Sequence, residues 1–121
     1  MTEFAYIFTL LPAGLPDEDD MRFFDYEFTK THGGVKLHNY VAADHGTICA
    51  DSPEQACEML YRIYNVDYPA GYTGRSMSVS DIVHLFDNSS GKSVKTSWFC
   101  DSLGFVRLDE CGHEIKKEEA Q

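Results

Sequence analysis

Apolar and polar residues alternate most clearly between residues 82 and 101, where the pattern predicts two paired strands. Residues 82–86 and residues 93–101 are both rich in β-branched and aromatic side chains. In the second run, alternate positions hold Val94, Thr96, Trp98 and Cys100. The turn-forming segment DNSSGK between the two runs is too short for a crossover, so an antiparallel hairpin is expected. Gly104 tolerates a positive φ and predicts a turn into a third strand at residues 105–108.

The first half of the chain gives a less regular pattern. Residues 4–11, FAYIFTLL, predict a central strand with both faces covered. Residues 21–29 fit either a strand or a short helix, and the alternation of Phe24, Tyr26 and Phe28 favours the strand. A further strand is predicted at residues 35–43, followed by a turn at Asp44, His45 and Gly46 and a short return strand at residues 47–49.

One helix is predicted to begin after Ser52, which is a good N-cap followed by Pro53. Gln55 has the spacing to complete a capping box. The expected apolar stripe consists of Ala56, Met59, Leu60 and Ile63, widened by Tyr64. The predicted fold class is therefore α+β, an antiparallel or mixed sheet of about five strands with one main helix packed on one face. A single domain is expected over residues 1–108, with a charged, flexible tail over residues 109–121.

The charge of the chain narrows the classes of partner. Its net charge is −10 over 121 residues, and the acids are concentrated towards both ends, including the run Asp17, Glu18, Asp19 and Asp20. Such a surface repels phosphate backbones, which disfavours direct binding to nucleic acid, and it attracts a basic groove on another protein. The alternative is that the acids only keep a small domain soluble. The short N-terminal apolar run does not predict a signal peptide or a membrane span, so a cytoplasmic protein is expected.

No pattern in the sequence predicts a catalytic or metal site. The cysteines at 49, 57, 100 and 111 form no CxxC pair and are expected to be buried free thiols rather than ligands or bridges. Cys111 and His113 are close in sequence, but no further ligand is evident, so neither metal nor cofactor is predicted. Ser78 to Asp81 are expected to form a tight turn whose side-chain oxygens bind backbone N–H groups. Arg75 is expected to pair with Asp81 or Asp101.

Two segments carry a family resemblance. GRSMSVSDIV (residues 74–83) and WFCDSLGF (residues 98–105) resemble the signature of the YodL-like domain, and YNVDYPAGYTG (residues 64–74) resembles the approach to it. The residues singled out within this motif are Arg75, Ser78, Ser80, Asp81, Trp98, Asp101 and Gly104. Residues 1–35 match only as a loose aromatic-rich strand pattern. The resemblance implies a small accessory protein of Gram-positive bacteria and their conjugative or phage-like elements, and it supplies no catalytic residues.

The hypothesis that follows is a non-enzymatic accessory protein in the cytoplasm of a bacterial host cell. It would bind and inhibit a nucleic-acid-handling defence protein, such as a restriction or CRISPR nuclease, by presenting carboxylates to a basic groove. The residues predicted to contact this partner are Asp17, Glu18, Asp19, Asp20, Asp25 and Glu27. The alternative is a regulator of a host structural protein, such as the cell-shape cytoskeleton, that binds through an apolar patch. A third class, a small hydrolase or nuclease, lacks a recognisable site.

Overall fold

The computed structural model describes residues 1–16 and 18–116. Within them the chain forms five strands, two α-helices and one 3₁₀ turn at Leu37–Asn39. In chain order the elements are β1 (Thr2–Leu10), α1 (Tyr26–Thr31), β2 (Val41–Ala50), α2 (Pro53–Ile63), β3 (Ile82–Asp87), β4 (Val94–Asp101) and β5 (Gly104–Leu108). The strands form one antiparallel sheet in the order β2-β1-β3-β4-β5. The predicted α+β fold with a five-stranded sheet is confirmed.

The first strand is an inner strand of the sheet, as its apolar sequence predicted. It pairs with β2 on one side and with β3 on the other. Phe4, Tyr6 and Phe8 are buried on the face that α2 covers. The predicted hairpin of β3 and β4 is also confirmed, with Val83 opposite Trp98. Trp98 is only 6% exposed and belongs to the same core.

The helix α2 begins where the sequence predicted. Ser52 accepts a hydrogen bond from the Gln55 backbone N–H at 3.1 Å, and the Gln55 side chain accepts one from the Asp51 N–H at 2.6 Å. The capping box is therefore displaced by one residue, since its second bond reaches Asp51 and not Ser52. The buried face also differs slightly from the prediction, because Cys57 faces the sheet while Met59 is 37% exposed.

Residues 12–40 join β1 to β2 and cover part of the other face of the sheet, and we call this segment the insert. It contains α1 and the 3₁₀ turn. Tyr26 is buried against Phe99, with ring centroids 5.5 Å apart and the planes at 74°. This second apolar cluster also includes Ile82, Val35, Leu37, Tyr40, Val106 and Leu108. The sheet therefore carries two cores, one under α2 and one under the insert.

The strand predicted at residues 21–29 is wrong, because the segment contains α1. Asp25 is the N-cap and accepts a hydrogen bond from the Phe28 N–H at 2.9 Å. The aromatic spacing that suggested a strand also fits a helix, since Phe24 and Phe28 are four residues apart and stack with centroids at 4.2 Å. The N-cap bond satisfies a first-turn donor that alternation alone does not take into account.

The predicted strand at residues 35–43 and the turn at Asp44, His45 and Gly46 are also wrong. The chain instead forms the single strand β2, with an irregularity opposite Phe8 and Thr9. Gly46 lies inside this strand opposite Tyr6, and a Cβ atom at Gly46 would approach the Tyr6 hydroxyl oxygen to 2.9 Å. The glycine therefore permits a close approach between strands rather than a reversal of the chain.

The end of the described chain folds back onto β5. Leu108 forms an isolated antiparallel bridge with Glu114, and the Ile115 N–H donates to the Arg107 carbonyl oxygen at 2.8 Å. The Glu114 N–H donates to the Tyr26 hydroxyl oxygen at 2.8 Å. Residues 109–116 of the predicted flexible tail thus contact both the sheet and the insert. Residues 117–121 of that tail lie outside the described residues.

We expect Ser52→Ala to lower the free energy of unfolding by about 1 kcal/mol, because the Gln55 N–H loses its acceptor. Chemical denaturation followed by circular dichroism measures this change. An unchanged midpoint would show that the hydroxyl contributes nothing to the start of α2.

His84 should make stability depend on pH. Burial, assisted by Lys95, lowers the pKa of the His84 imidazole from 6.5 to about 4. The unfolded chain therefore binds a proton before the folded chain does, so stability falls as the pH drops from 6.5 towards about 4. We expect His84→Gln to remove a loss of about 2 kcal/mol over this interval. The measurement is the difference between the unfolding free energies of the parent protein and the His84→Gln variant at each pH. A difference that stays constant over this pH interval would contradict the prediction.

Candidate functional site

A buried ion pair lies at the start of β3. Asp81 has no solvent exposure, and Arg75 donates from Nη1 to Asp81 Oδ2 at 2.8 Å and from Nη2 to Oδ1 at 2.6 Å. The Ser78 N–H donates to Asp81 Oδ2 at 2.7 Å, and the Asp81 N–H donates to the Ser78 carbonyl oxygen at 3.0 Å. The expected tight turn is confirmed, and of the two acids expected to pair with Arg75, Asp81 and Asp101, the structure shows Asp81.

The electrostatics of Asp81 reflect two opposing effects. Burial raises the pKa of the Asp81 carboxyl, while the guanidinium of Arg75 and the Ser78 N–H act to lower it. Both carboxylate oxygens already accept hydrogen bonds inside the protein. Such a carboxylate is well suited to fix the geometry of a loop, and because its side chain has no solvent exposure a substrate cannot reach it.

Ser80, next to Asp81, connects the sheet to the insert. Its backbone has a φ of 86°, and its N–H donates to the Cys100 carbonyl oxygen at 2.9 Å. The Ser80 hydroxyl oxygen accepts a hydrogen bond from the Phe23 N–H at 2.9 Å. The Ser80 carbonyl oxygen accepts one from the Tyr40 hydroxyl at 2.6 Å. One buried serine thus binds the middle of the insert at Phe23 and its C-terminal end at Tyr40.

Asp101 forms the second attachment of the insert. Its Oδ1 accepts hydrogen bonds from the Tyr26 N–H at 3.0 Å and from the Ser102 N–H at 2.9 Å. Gly104, at a φ of 94°, completes the adjoining turn between β4 and β5, as the sequence predicted. Five of the predicted motif residues, Arg75, Ser78, Ser80, Asp81 and Asp101, are therefore joined in one structure that supports the insert. We call it the mount.

Phe23 is the most unusual residue at this junction. Its φ is 74°, which is uncommon for a bulky side chain, and its ring remains 51% exposed. The guanidinium carbons of Arg22 and Arg75 lie 5.4 and 5.1 Å from the ring centroid, which is the range of cation–π contact. Bonds from the mount therefore hold a strained aromatic residue at the surface. Sequence reasoning missed Phe23, because its partners Ser80 and Arg75 are distant in the chain.

An aromatic row continues from this point along α1. Phe24 stacks on Phe28, and Phe28 stacks on His32 with ring centroids 3.8 Å apart. Phe24 is 39% exposed and Phe28 is 36% exposed. The three residues lie at i, i+4 and i+8, and recognising α1 from Asp25 as an N-cap would have revealed the row. The insert therefore presents exposed aromatic surface as well as carboxylates.

The residues predicted to bind a partner all fall in the insert, but most already have local partners. Glu18 pairs with Lys36 at 2.7 Å, Asp20 with Arg22 at 2.8 Å, and Glu27 with Lys30 at 3.3 Å. Arg22 lowers the pKa of Asp20 to about 2, and Lys36 lowers the pKa of Glu18. Asp25 is the N-cap of α1, and Asp19 is exposed. Asp17 lies outside the described residues.

Several groups that could carry covalent chemistry, namely Cys57, Cys100 and Ser78, are buried or hydrogen-bonded within the protein. Burial is the main effect that raises the pKa of the Cys100 thiol, to about 12. Cys57 is also buried, but the expected burial is wrong for Cys49 and Cys111, whose side chains are exposed. The Ser78 hydroxyl donates to the Ser76 carbonyl oxygen at 3.2 Å.

Over residues 1–16 and 18–116, no group of three or more histidine, cysteine or acidic residues is arranged to hold a metal ion. A cavity of about 270 Å³ within the insert is lined by residues that include Leu15, Asp19, Lys36 and Tyr40.

A comparison with protein families identifies the type of domain. The family model described as YodL-like domain matches residues 7–110. The chain belongs to the YodL-like domain family. No curated protein and no solved structure matches it. The match extends through the whole insert, so the insert is part of this YodL-like domain. The loose resemblance of residues 1–35 had suggested less: that the shared pattern begins after most of the insert.

The YodL-like domain also lacks, in the part of the chain described here, any helix with the length and apolarity needed to cross a membrane.

The buried ion pair gives a direct test of the mount. We expect Asp81→Asn to lower the free energy of unfolding by about 3 kcal/mol or more, because Arg75 loses its counter-ion within a partly buried site. The control is Asp67→Asn, which breaks the exposed pair of Arg62 and Asp67 at 3.9 Å and should cost less than about 0.5 kcal/mol. Equal losses in the two variants would contradict a structural role for Asp81.

Proposed function

We propose that this YodL-like domain is a non-enzymatic accessory protein that binds another protein through the exposed surface of its insert. The first candidate partner is a nucleic-acid-handling defence protein of the host cell, of the restriction or CRISPR type, whose basic groove the insert would occupy. Occupation of that groove would inhibit the partner by excluding its nucleic acid.

The proposal rests on one observation, namely that residues of the family signature hold the insert in place by hydrogen bonds. Ser80 and Asp101 use their polar side chains to bind backbone groups of the insert, and Asp81 is fully paired with Arg75. These polar groups are engaged inside the protein and unsuited to a reaction. The surface that they hold in place, with Phe23 at its edge, is left available for recognition.

The charges of the insert set the kind of partner it fits. Residues 17–40 contain six carboxylates against three lysine and arginine residues, in a chain whose net charge is −10. The internal ion pairs reduce the local field of the insert, so its carboxylates act together with those of the whole chain. A basic groove remains the complementary surface, and long-range attraction would speed its association.

The aromatic row favours the second candidate, a host structural protein such as one of the cell-shape cytoskeleton. Phe23, Phe24 and Phe28 are each exposed by a third or more, and exposed aromatic residues are common anchors at protein interfaces. A contact centred on them would depend on apolar burial more than on charge. The two candidates therefore differ in how salt affects binding.

The test begins with capture of partners from a lysate of the host cell, followed by measurement of association with the purified partner. For the first candidate, the association rate should fall steeply between about 20 and 200 mM salt, and the partner's activity on DNA or RNA should be inhibited. For the second, affinity should be nearly independent of salt and no nuclease should be inhibited.

Two variants distinguish the surfaces. Changing Asp17, Asp19 and Asp20 to Asn and Glu18 to Gln should slow association at least tenfold at low salt if charge drives binding. The matched control neutralises four acids outside the insert, Glu3, Glu58, Asp67 and Glu110, and should have a smaller effect. Changing Phe24 and Phe28 to Ala should instead weaken a contact of the second kind at every salt concentration. Binding that survives both insert variants would refute the proposal.

A further inference from the structure

The two edge strands of the sheet, β5 and β2, differ in how far they are protected from pairing with another strand. At β5 the outer edge is short and partly closed, because Leu108 bridges Glu114 and the Ile115 N–H donates to the Arg107 carbonyl oxygen. At the other edge, Val41–Ala50 forms a strand of ten residues that pairs only with β1 among the described strands. In an antiparallel strand, alternate residues direct their N–H and C=O groups outwards. The outer edge of β2 is therefore a template for another strand.

The sequence of this edge lacks the usual devices that prevent strand pairing. Residues 45–50, HGTICA, include no lysine, arginine, proline or carboxylate, and the irregularity of β2 lies earlier, opposite Phe8 and Thr9. His45, Thr47 and Cys49 are exposed and lie on one face of the strand, because they are two residues apart. Residues 45–50 thus carry no acidic or basic side chain other than the imidazole of His45, although the chain as a whole carries −10.

The edge is also complementary to itself. A two-fold axis at Thr47 sets the β2 strands of two copies antiparallel, with each residue opposite its counterpart across the axis. Thr47 then faces Thr47 of the second copy, a favourable cross-strand pair. On the face covered by α2, Ile48 is placed opposite Gly46, beside the Tyr6 ring that lies over this glycine. The flanking acids, Asp44 and Asp51, face Ala50 and Ala43, so no carboxylate faces another.

We infer that β2 is a self-association edge, through which two copies of this chain form a continuous ten-stranded sheet. The occupant of the edge is a second copy, because residues 45–50 carry no carboxylate and their pairing places no carboxylate of one acidic molecule opposite a carboxylate of the other. This interface is separate from the proposed partner surface, since the insert packs on Ile82, Phe99 and Leu108 of β3, β4 and β5. Self-association therefore does not depend on the function proposed for the insert.

The effect of salt on affinity distinguishes self-association through β2 from the binding of a basic partner. Two copies that each carry −10 repel one another, and salt screens that repulsion. The dimer should therefore become tighter as salt is raised, whereas binding to a basic groove becomes weaker.

Sedimentation equilibrium of the whole chain under reducing conditions tests the inference. The reductant excludes disulfides through the exposed Cys49 and Cys111. We expect a species of twice the 13.7 kDa chain mass, with a dissociation constant that decreases when salt is raised. A protein that keeps the mass of one chain at about 100 μM, a concentration at which even weak specific dimers are populated, overturns the inference.

Charge variants at Thr47 locate the interface. Thr47→Lys and Thr47→Glu each place like charges across the axis, so each should raise the dissociation constant at least tenfold, while an equimolar mixture should restore dimers of one copy of each. The control, Thr73→Lys, adds the same charge at an exposed loop position and should leave the dimer unchanged. Circular dichroism verifies that each variant is folded. Dimers that persist in both Thr47 variants, or a mixture that stays monomeric, would contradict pairing through β2.

Discussion

Asp81, a carboxylate without solvent contact, fixes the turn that connects the sheet to the insert. Its charge is tolerable inside the protein because Arg75 and the Ser78 N–H bind both oxygens. That requirement fixes the turn before β3 and places Ser80 where its hydroxyl and carbonyl groups meet the insert. Loss of the pair would therefore loosen the loop that leads from α2 and also the attachment of residues 12–40.

The signature residues of the mount bind groups inside the protein, whereas the side chains proposed to recognise a partner are exposed. Ser80 and Asp101 direct their polar groups inwards, whereas Phe23 and the aromatic row lie outside them. A domain built in this way can keep its internal polar network while the exposed side chains of its insert change. Membership of the YodL-like domain family therefore describes the fold and not a partner, and under the function proposed above the choice of partner would depend on residues outside the signature.

The sequence predicted the parts of the fold that depend on local patterns. The hairpin of β3 and β4, the start of α2 at Ser52 and the pairing of Arg75 with an acid followed from alternation, N-cap preference and charge. The insert did not, because Phe24 and Phe28 have a spacing that suits a strand and a helix alike. Its attachments are equally hidden, since the Phe23 N–H bonds to Ser80, which lies 57 residues away. Gly46 was misread because its role depends on Tyr6 in another strand.

The insert begins and ends at neighbouring points of the sheet, since Leu10 of β1 is paired with Val41 of β2. A segment that leaves and re-enters a fold at adjacent positions adds little closure entropy, and its length can change at small cost. The strands would keep their register around a replacement segment, provided that it covered the apolar side chains of Ile82 and Phe99. The sheet with α2 thus offers a position, between β1 and β2, at which a replacement segment of different length can be accepted.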